Sequence, residues 1–539
     1  MEERRSESDP GVSGMRLVNG HSSPVGWTRS TPGKSHDLRE EPADASGISK
    51  EGSESPDGIG ESAGEPGNLP DDHGDSLDET DWETTRYLAA ATQLDLKYAR
   101  SVVSQIVGEP FRTVAPSAGA DVVVVTRWAL AALHRRAQRD VVLTCLLVVG
   151  VAVAVGVWTW IPIAVMAVLA IFIVAYERWV RDVRIIARRM LRGRFFAQDA
   201  PSSRSPHIEK RLAVVRQQQN GNLVAFRGRS PFVGSGEEYL YDHIVVNVAL
   251  GRKGKNGKRQ PAIPFSVPQL HEALEVALKS MDFPDIRVGQ RLYVNGEHVT
   301  SDSRLLPHKL GPPASDASAD LLRDGCNPAS AARTYVCAEI GGWKGQLVVS
   351  LFTRAVQSHG SLQVEWMFHV LPPLHSNLLL VDRLYELPFV AQIPKAMATG
   401  VLWFVPALAL APVTLARYAA LPFIEILRTS EQTYRIRCGY VFNYGSPRSI
   451  REAPISYRRP HDFVAGDGLT FIVLAQHTLL RALGRFLKVH KVDMKQFASQ
   501  EQVIINKVNK YNVDKISAQN VAVGNKPTAS GNKKKSGPR

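Results

Sequence analysis

Apolar positions gather along this chain into two long uncharged runs and a series of short ones. From Val141 to Tyr176 there are 36 consecutive residues without a charge, and from Ala396 to Ala416 another 21. A run of 18 or more apolar residues has the length of a membrane span. As one helix the first run would reach ~54 Å, against a hydrocarbon core of ~30 Å. Its middle reads Gly156-Val157-Trp158-Thr159-Trp160-Ile161-Pro162, with two interface-favouring indoles and a proline suited to the first turn of a new helix. The pattern predicts a tight helical hairpin turning at Trp158 and Trp160; a buried hairpin of a soluble protein is the other reading. The second run is interrupted by Pro406 and Pro412, so either a third pass or a re-entrant or in-plane segment fits it.

Shorter patterns organise the rest. Tyr87, Leu88, Ala91, Leu94, Tyr98, Val102 and Ile106 recur at helical spacing after Asp81, a candidate cap, and that face ends at Gly108-Glu109-Pro110. Strand-like runs occupy Leu223–Phe226, His243–Leu250, Arg291–Val294, Thr334–Glu339, Gly345–Phe352 and Leu362–Leu371. A helix follows Pro268 through Leu270, Leu274, Ala277 and Leu278, and Pro307 to Asp324 reads as a loop. An amphipathic helix is expected over Phe471–Val489, and short strands between Val503 and Val523. The predicted class is a membrane-anchored α+β protein, with a transmembrane helical hairpin, a cytoplasmic domain containing an antiparallel sheet, and disordered N- and C-terminal tails. The divisions are an acidic tail over 1–80, a helical juxtamembrane segment over 81–140, the hairpin over 141–176 and the α+β domain over 177–395. A second membrane segment over 396–424, a basic helical/β region over 425–500 and a strand-like, Lys-rich tail over 501–539 complete them.

Charge sharpens this picture. Between Asp37 and Glu83 stand 16 acidic residues against Arg39 and Lys50, whereas the 539-residue chain as a whole carries +13. So polar a stretch cannot bury enough apolar surface to offset the entropy of ordering. It is either an interaction tail for a protein partner or a solvated leader. Arg135, Arg136 and Arg139 precede the hairpin, and Arg178 and Arg181 open an arginine-rich stretch behind it. Positive flanks on both sides place the N-terminus and residues 177–395 in the cytoplasm of a multi-pass plasma-membrane protein. The implied partner is the bilayer, with its anionic headgroups; self-association through the C-terminal strands is a further expectation.

Candidate chemistry is sparse. Arg227-Gly228-Arg229-Ser230-Pro231-Phe232-Val233-Gly234-Ser235-Gly236 follows a strand and could turn backbone N–H groups toward a phosphate, or simply close the sheet. Its spacing fits neither a dinucleotide fingerprint nor a P-loop. Arg252, Lys253, Lys255, Lys258 and Arg259 place five cations in nine residues, for lipid contact or as a solvated loop. No aromatics interleave there, which argues against nucleic acid. His271-Glu272 lacks the second histidine of a zinc-protease motif, His359, His369 and His375 are dispersed, and Asp382 and Glu386 flank Arg383 as in an ordinary ion pair. No GxSxG or CxxC occurs among the residues, and Cys145, Cys326, Cys337 and Cys438 are far apart. No catalytic residue, cofactor or metal is therefore assigned. The hairpin carries no ionisable residue, which weakens transport. A non-enzymatic membrane scaffold or sensor is the leading expectation; the alternative is a membrane-bound enzyme or ligand sensor with an anion site at 227–236 and 252–259.

Thr85-Arg86-Tyr87-Leu88-Ala89-Ala90-Ala91, Ala115-Pro116-Ser117 with Asp121, Arg139-Asp140, Ser230-Pro231-Phe232-Val233-Gly234 and Leu371-Pro372-Pro373-Leu374 together resemble a group of uncharacterised membrane proteins of high-GC Gram-positive (actinobacterial) bacteria. The resemblance covers roughly residues 82 to 385. It implies a bacterial membrane protein and carries no activity.

Overall fold

β-Branched and aromatic residues dominate the short apolar runs, and these form one six-stranded sheet. The computed structural model describes residues 79–157, 160–253, 258–283, 285–375, 378, 381, 382, 389–455 and 462–506. Trp158, Lys255, Arg383 and Glu386, with most of both expected tails, lie outside them. In chain order come helices α1 (Glu79–Leu94), α2 (Leu96–Ile106), α3 (Val122–Val157), α4 (Ile161–Trp179) and α5 (Pro206–Asn220). Strands β1 (Leu223–Phe226) and β2 (Glu237–Asn247), helix α6 (Val267–Lys279), β3 (Ile286–Asn295) and the short α7 (Ala319–Asp324) follow. Then come β4 (Arg333–Gly342), β5 (Leu347–Ser358), β6 (Ser361–Leu371) and the long helices α8 (Phe389–Arg437) and α9 (Asp462–Val489).

The strand order is β1-β3-β4-β5-β6-β2. Four of the five pairings are antiparallel, but β1 runs parallel to β3, with Leu223 opposite Leu292 and Phe226 opposite Asn295. The sheet is therefore mixed, not the antiparallel sheet that the sequence predicts. Alternate side chains of β4, β5 and β6 (Val336, Ala338, Leu351, Val364, Trp366, Phe368) meet α6 and α9 in the largest core. Pro268 stands in the first turn of α6, and the Ser266 N–H donates to Gln269 Oε1 at 2.9 Å, so Leu270, Leu274 and Leu278 face the sheet.

The opposite face of the sheet is covered by the 227–236 connection, which crosses from edge strand β1 to edge strand β2. Phe232 stacks on Phe352 at 4.2 Å between ring centroids and meets Tyr293, Tyr335 and His369 at 5.3, 5.2 and 5.0 Å. One ring thus touches β3, β4, β5 and β6.

Several sequence expectations change in the structure. The helical face from Tyr87 to Ile106 is two helices, because Asp95 leaves the helical conformation and its carboxylate accepts the Lys97 N–H at 2.7 Å to start α2. Asp81 lies inside α1 and is not its cap. The expected 307–324 loop ends in α7, capped by the Ser318 hydroxyl. Residues 503–506 end a helix over 495–506 instead of forming a strand. The apolar run with Pro406 and Pro412 is unbroken: α8 continues through four prolines for 49 residues. Four helices, Val122–Gly156, Ile161–Ala187, Ile393–Arg437 and Asp462–Val489, are long and apolar enough to cross a membrane. In the last of these, Leu479, Leu480, Leu483 and Leu487 are buried against the sheet.

Side chains buried on the two faces of the sheet give two predictions. Phe232→Ala removes a buried ring shared by four strands and should cost ~3–5 kcal/mol, lowering the unfolding midpoint in detergent sharply, while Phe232→Leu should cost less. Burial holds His369 down to a pKa of about 4, and burial next to Arg354 does the same to His271. Both therefore bind a proton more readily unfolded, so stability is complete above ~6.5 and is lost as the pH falls toward 4. Melting curves between pH 7 and 4 should show that slope, and His369→Leu should flatten it.

Candidate membrane-facing site

The hairpin begins as a continuation of the body. The Asp121 carboxylate caps α3 by accepting the Val123 and Val124 N–H groups at 2.8 and 3.1 Å, and its own N–H donates to Thr85 Oγ1. The first turns of α3 are buried: Val122, Val123, Val125 and Ala129 pack against Leu88, Ala91 and Val102. From Val141 onward the same helix turns apolar side chains outward. Val148, Val149 and Val155 are 63%, 60% and 69% exposed, as are Ile161, Ile163 and Phe172 of α4 to lesser degrees. Trp160, at the turn, is 75% exposed. The seam between the helices is close, since a Cβ on Gly150 would stand 2.6 Å from Met166 Sδ.

The arginines gather where the hairpin meets the body. Arg135 Nε and Arg139 Nη1 approach the buried Glu177 carboxylate at 3.4 and 3.8 Å, and Arg135 Nη1 also donates to Gln93 Oε1 at 2.9 Å. Arg139 Nη2 donates to the buried Asp140 at 2.6 Å, and the other Asp140 oxygen accepts from Thr414 Oγ1 of α8 at 2.7 Å. Arg181 pairs with Asp182 at 2.7 Å, Arg178 stands 5.7 Å from the Trp403 ring centroid, and Arg136 is half-buried on α3. Sequence reasoning found these cations but assigned no role to Asp140, Glu177 or Thr414. These compensate part of the collar's charge and tie the hairpin to α8. The acids flanking the apolar run were the only signal available.

The two expected anion-site segments are not brought together. Arg227 and Arg229 leave β1, while Arg252, Lys253, Lys258 and Arg259 follow β2, all six exposed. These are the two sheet edges, five strand spacings or ~24 Å apart. The 252–259 loop is pinned to residues 490–492 through the Arg252 N–H to Lys491 O and the Ile263 N–H to His490 O, both 2.8 Å. In the 227–236 turn, φ is +95° at Gly234 and +84° at Gly236. A Cβ there would stand 2.0 Å from Pro116 O and 2.2 Å from Val370 O. Their N–H groups do converge on an anion, but it is the chain's own: Glu452 Oε1 accepts both, at 2.8 and 3.3 Å.

That turn is where distant parts of the chain meet. Ser117 and Ser449 hydroxyls are 2.8 Å apart, Leu374 bridges to Ile455, and the His375 N–H donates to Pro454 O at 3.0 Å. A model of the AbeC-like domain matches residues 244–525, just over half of the chain. The chain belongs to the AbeC-like domain family. The AbeC-like region begins inside β2 and includes α6, β3–β6, α8 and α9; the hairpin α3–α4, β1 and Phe232 lie ahead of it. It overlaps the 82–385 stretch of the sequence resemblance only from 244 onward. No curated protein and no solved structure matches the chain.

The internal carboxylate gives a test. Glu452→Ala leaves two buried-side amides unpaired and should cost ~1–3 kcal/mol, more than Glu452→Gln, which keeps an acceptor. At matched ionic strength, inorganic phosphate should raise the melting temperature of Glu452→Ala and leave the parent protein unchanged.

Proposed function

We propose that this AbeC-like protein is an integral membrane scaffold or sensor, anchored in the cell membrane by the α3–α4 hairpin with its α+β body in the cytoplasm. One observation carries the reading: the two helices expose apolar side chains along their length and end together in a collar of arginines. In water such a surface is an aggregation hazard, since monomeric soluble proteins rarely expose contiguous apolar patches beyond a few hundred Å². In lipid it is satisfied, and the collar reaches the headgroups of an anionic inner leaflet. Arg178 and Arg181, with long apolar stems below a charged head, suit that position.

The reading is tested by fractionation. The protein should pellet with membranes and resist alkaline carbonate, and Val149→Arg with Val165→Arg should move it to the carbonate supernatant or abolish its accumulation. Recovery of the parent protein in the supernatant without detergent would refute the anchor.

A further inference from the structure

The long helix α8 is apolar enough to be another pass, but its two flanks are held on one body. Ahead of it, Val381 packs with Ala89, Val124, Trp128 and Ile186, and Asp382 accepts from Arg86 Nη1 at 2.8 Å and Tyr87 Oη at 2.6 Å. Near its C-terminal end, Gln432 Nε2 donates to the buried Glu109 at 3.1 Å, where Arg428 also pairs, and Ile436 joins Phe442 and Tyr444, just past the helix, beside β1. Six residues separate Asp382 from Phe389. Fully extended, they reach ~25 Å, short of a hydrocarbon core of ~30 Å. The start of α8 therefore cannot stand on the far side of the bilayer while Asp382 stays on the body.

Contacts along α8 show its course. Gly400 fits against Ile171 and Ala175, where a Cβ would come within 3.0 Å of both. Trp403 lies by Arg178 and Thr414 bonds Asp140, while Tyr418 Oη accepts from Arg100 of α2 at 3.2 Å. From Gly400 to Thr414 the helix advances ~21 Å. Over that length its contacts with the hairpin begin at Ile171 and Ala175, join the buried cluster of Leu143, Ala170 and Val174, and end at Asp140, all within ~11 Å of the hairpin base at Glu177. A helix advancing ~21 Å while its partners stay that low passes across the lower part of the hairpin. Gly400, Leu408 and Ala411 face inward, whereas Leu402, Val405, Leu410, Phe423, Ile424 and Ile426 are exposed on the outer side. Between Ala398 and Leu427 only Arg417 and Glu425 are charged.

We propose that α8 does not cross the bilayer: it lies in the plane of the inner leaflet at the hairpin base, its outer apolar face seated in lipid. The inference rests on the hairpin being the anchor, and the occupant follows from continuity, since this face adjoins the apolar surface of α3 and α4. In-plane helices seat their apolar side ~5–10 Å into the headgroup–acyl boundary. The chain then has an even number of crossings, and residues on both sides of α8 reach the same sheet.

The experiment uses the full-length protein in nanodiscs of phosphatidylcholine and phosphatidylglycerol, with Cys145 and Cys438 replaced by Ser. Single spin labels at Leu402, Leu410, Ala420 and Phe423 report depth from oxygen against nickel-chelate accessibility, with Val149 and Val155 as hairpin references. The expected result is one shallow depth, constant to ~5 Å, at the four α8 positions and greater depth in the hairpin. Depths spread over ~25–30 Å along α8 would make it a pass and overturn the proposal while leaving the anchor intact. Spin–spin distances between copies below ~20 Å at Ala420, with oxygen excluded, would assign the face to a second copy and overturn it as well. If Val149 and Val155 also lie outside lipid, the anchor reading falls and takes this one with it. A second measurement needs only mild substitutions: in sealed vesicles of a Cys145→Ser protein, native Cys438 and a cysteine at Lys395 should react with an impermeant maleimide from the same side as one at Ser202. Labelling of positions 395 and 438 from opposite sides would overturn the proposal.

Discussion

The chain leaves the sheet at the end of β6 and returns to the same place after α8, and the hydrogen bond from His375 to Pro454 with the Leu374–Ile455 bridge closes that excursion. A second closure joins Phe226 to Ser446 at the other edge of the sheet. Because backbone groups buried away from water must be paired, these closures are expensive to open. They constrain everything between them: however apolar α8 is, its ends belong to one body. Length and hydropathy measure what a helix could do in lipid; the contacts at its ends limit where those ends can lie.

Buried charge performs the same joining role elsewhere. Arg211 of α5 donates to the carbonyls of Ile106, Glu109 and Arg112, and Arg451 donates to those of Gly345 and Gln346. Burial lowers both guanidinium pKa values to about 10, so each remains charged at neutral pH. A cation surrounded by carbonyl dipoles satisfies chain ends that helices and turns leave unpaired. Arg211 fixes the turn after α2 to α5, and Arg451 fixes the β4–β5 turn to the segment after α8. These contacts are specific in geometry, and replacing either arginine would strand several carbonyls at once. Glu452, next in sequence, performs the complementary task by accepting the amides of Gly234 and Gly236.

What the sequence revealed depended on the range of the physics involved. The hairpin was legible because its signal is a long uncharged run with arginines beside it, and α6 because Pro268 and the spacing of Leu270, Leu274 and Leu278 are local. All six strand-like runs fell on strands for the same reason, while their ends did not always match: His243–Leu250 overlaps the latter part of a strand beginning at Glu237, and Gly345 lies in the turn before β5. The parallel placement of β1 was not legible, since it depends on a crossover whose partner lies far along the chain. Nor was the role of the glycine turn, because the same amides can hold a phosphate or a side-chain carboxylate, and the carboxylate lies more than 200 residues away. The prolines of α8 misled in an instructive way: proline removes one hydrogen bond and strains one turn, and packing against α3, α4 and α2 outweighs that local loss.

The family match and the architecture do not share a boundary, and the difference has a physical meaning. A segment starting at residue 244 would lack β1, most of β2 and Phe232. Strand β3 would then lose its parallel partner and become an edge, and Tyr293, Tyr335, Phe352 and His369 would lose the ring that covers them. Glu452 and Ser449, inside the matched region, would lose Gly234, Gly236 and Ser117, outside it. The same holds at the hairpin, where Asp140 lies outside and Thr414 inside. A sheet with one bare aromatic face and an unpartnered apolar helix would have to find cover elsewhere. The AbeC-like region of this chain is thus a recognisable sequence unit whose cores are completed by the residues before it, and the apolar hairpin is built into that completion.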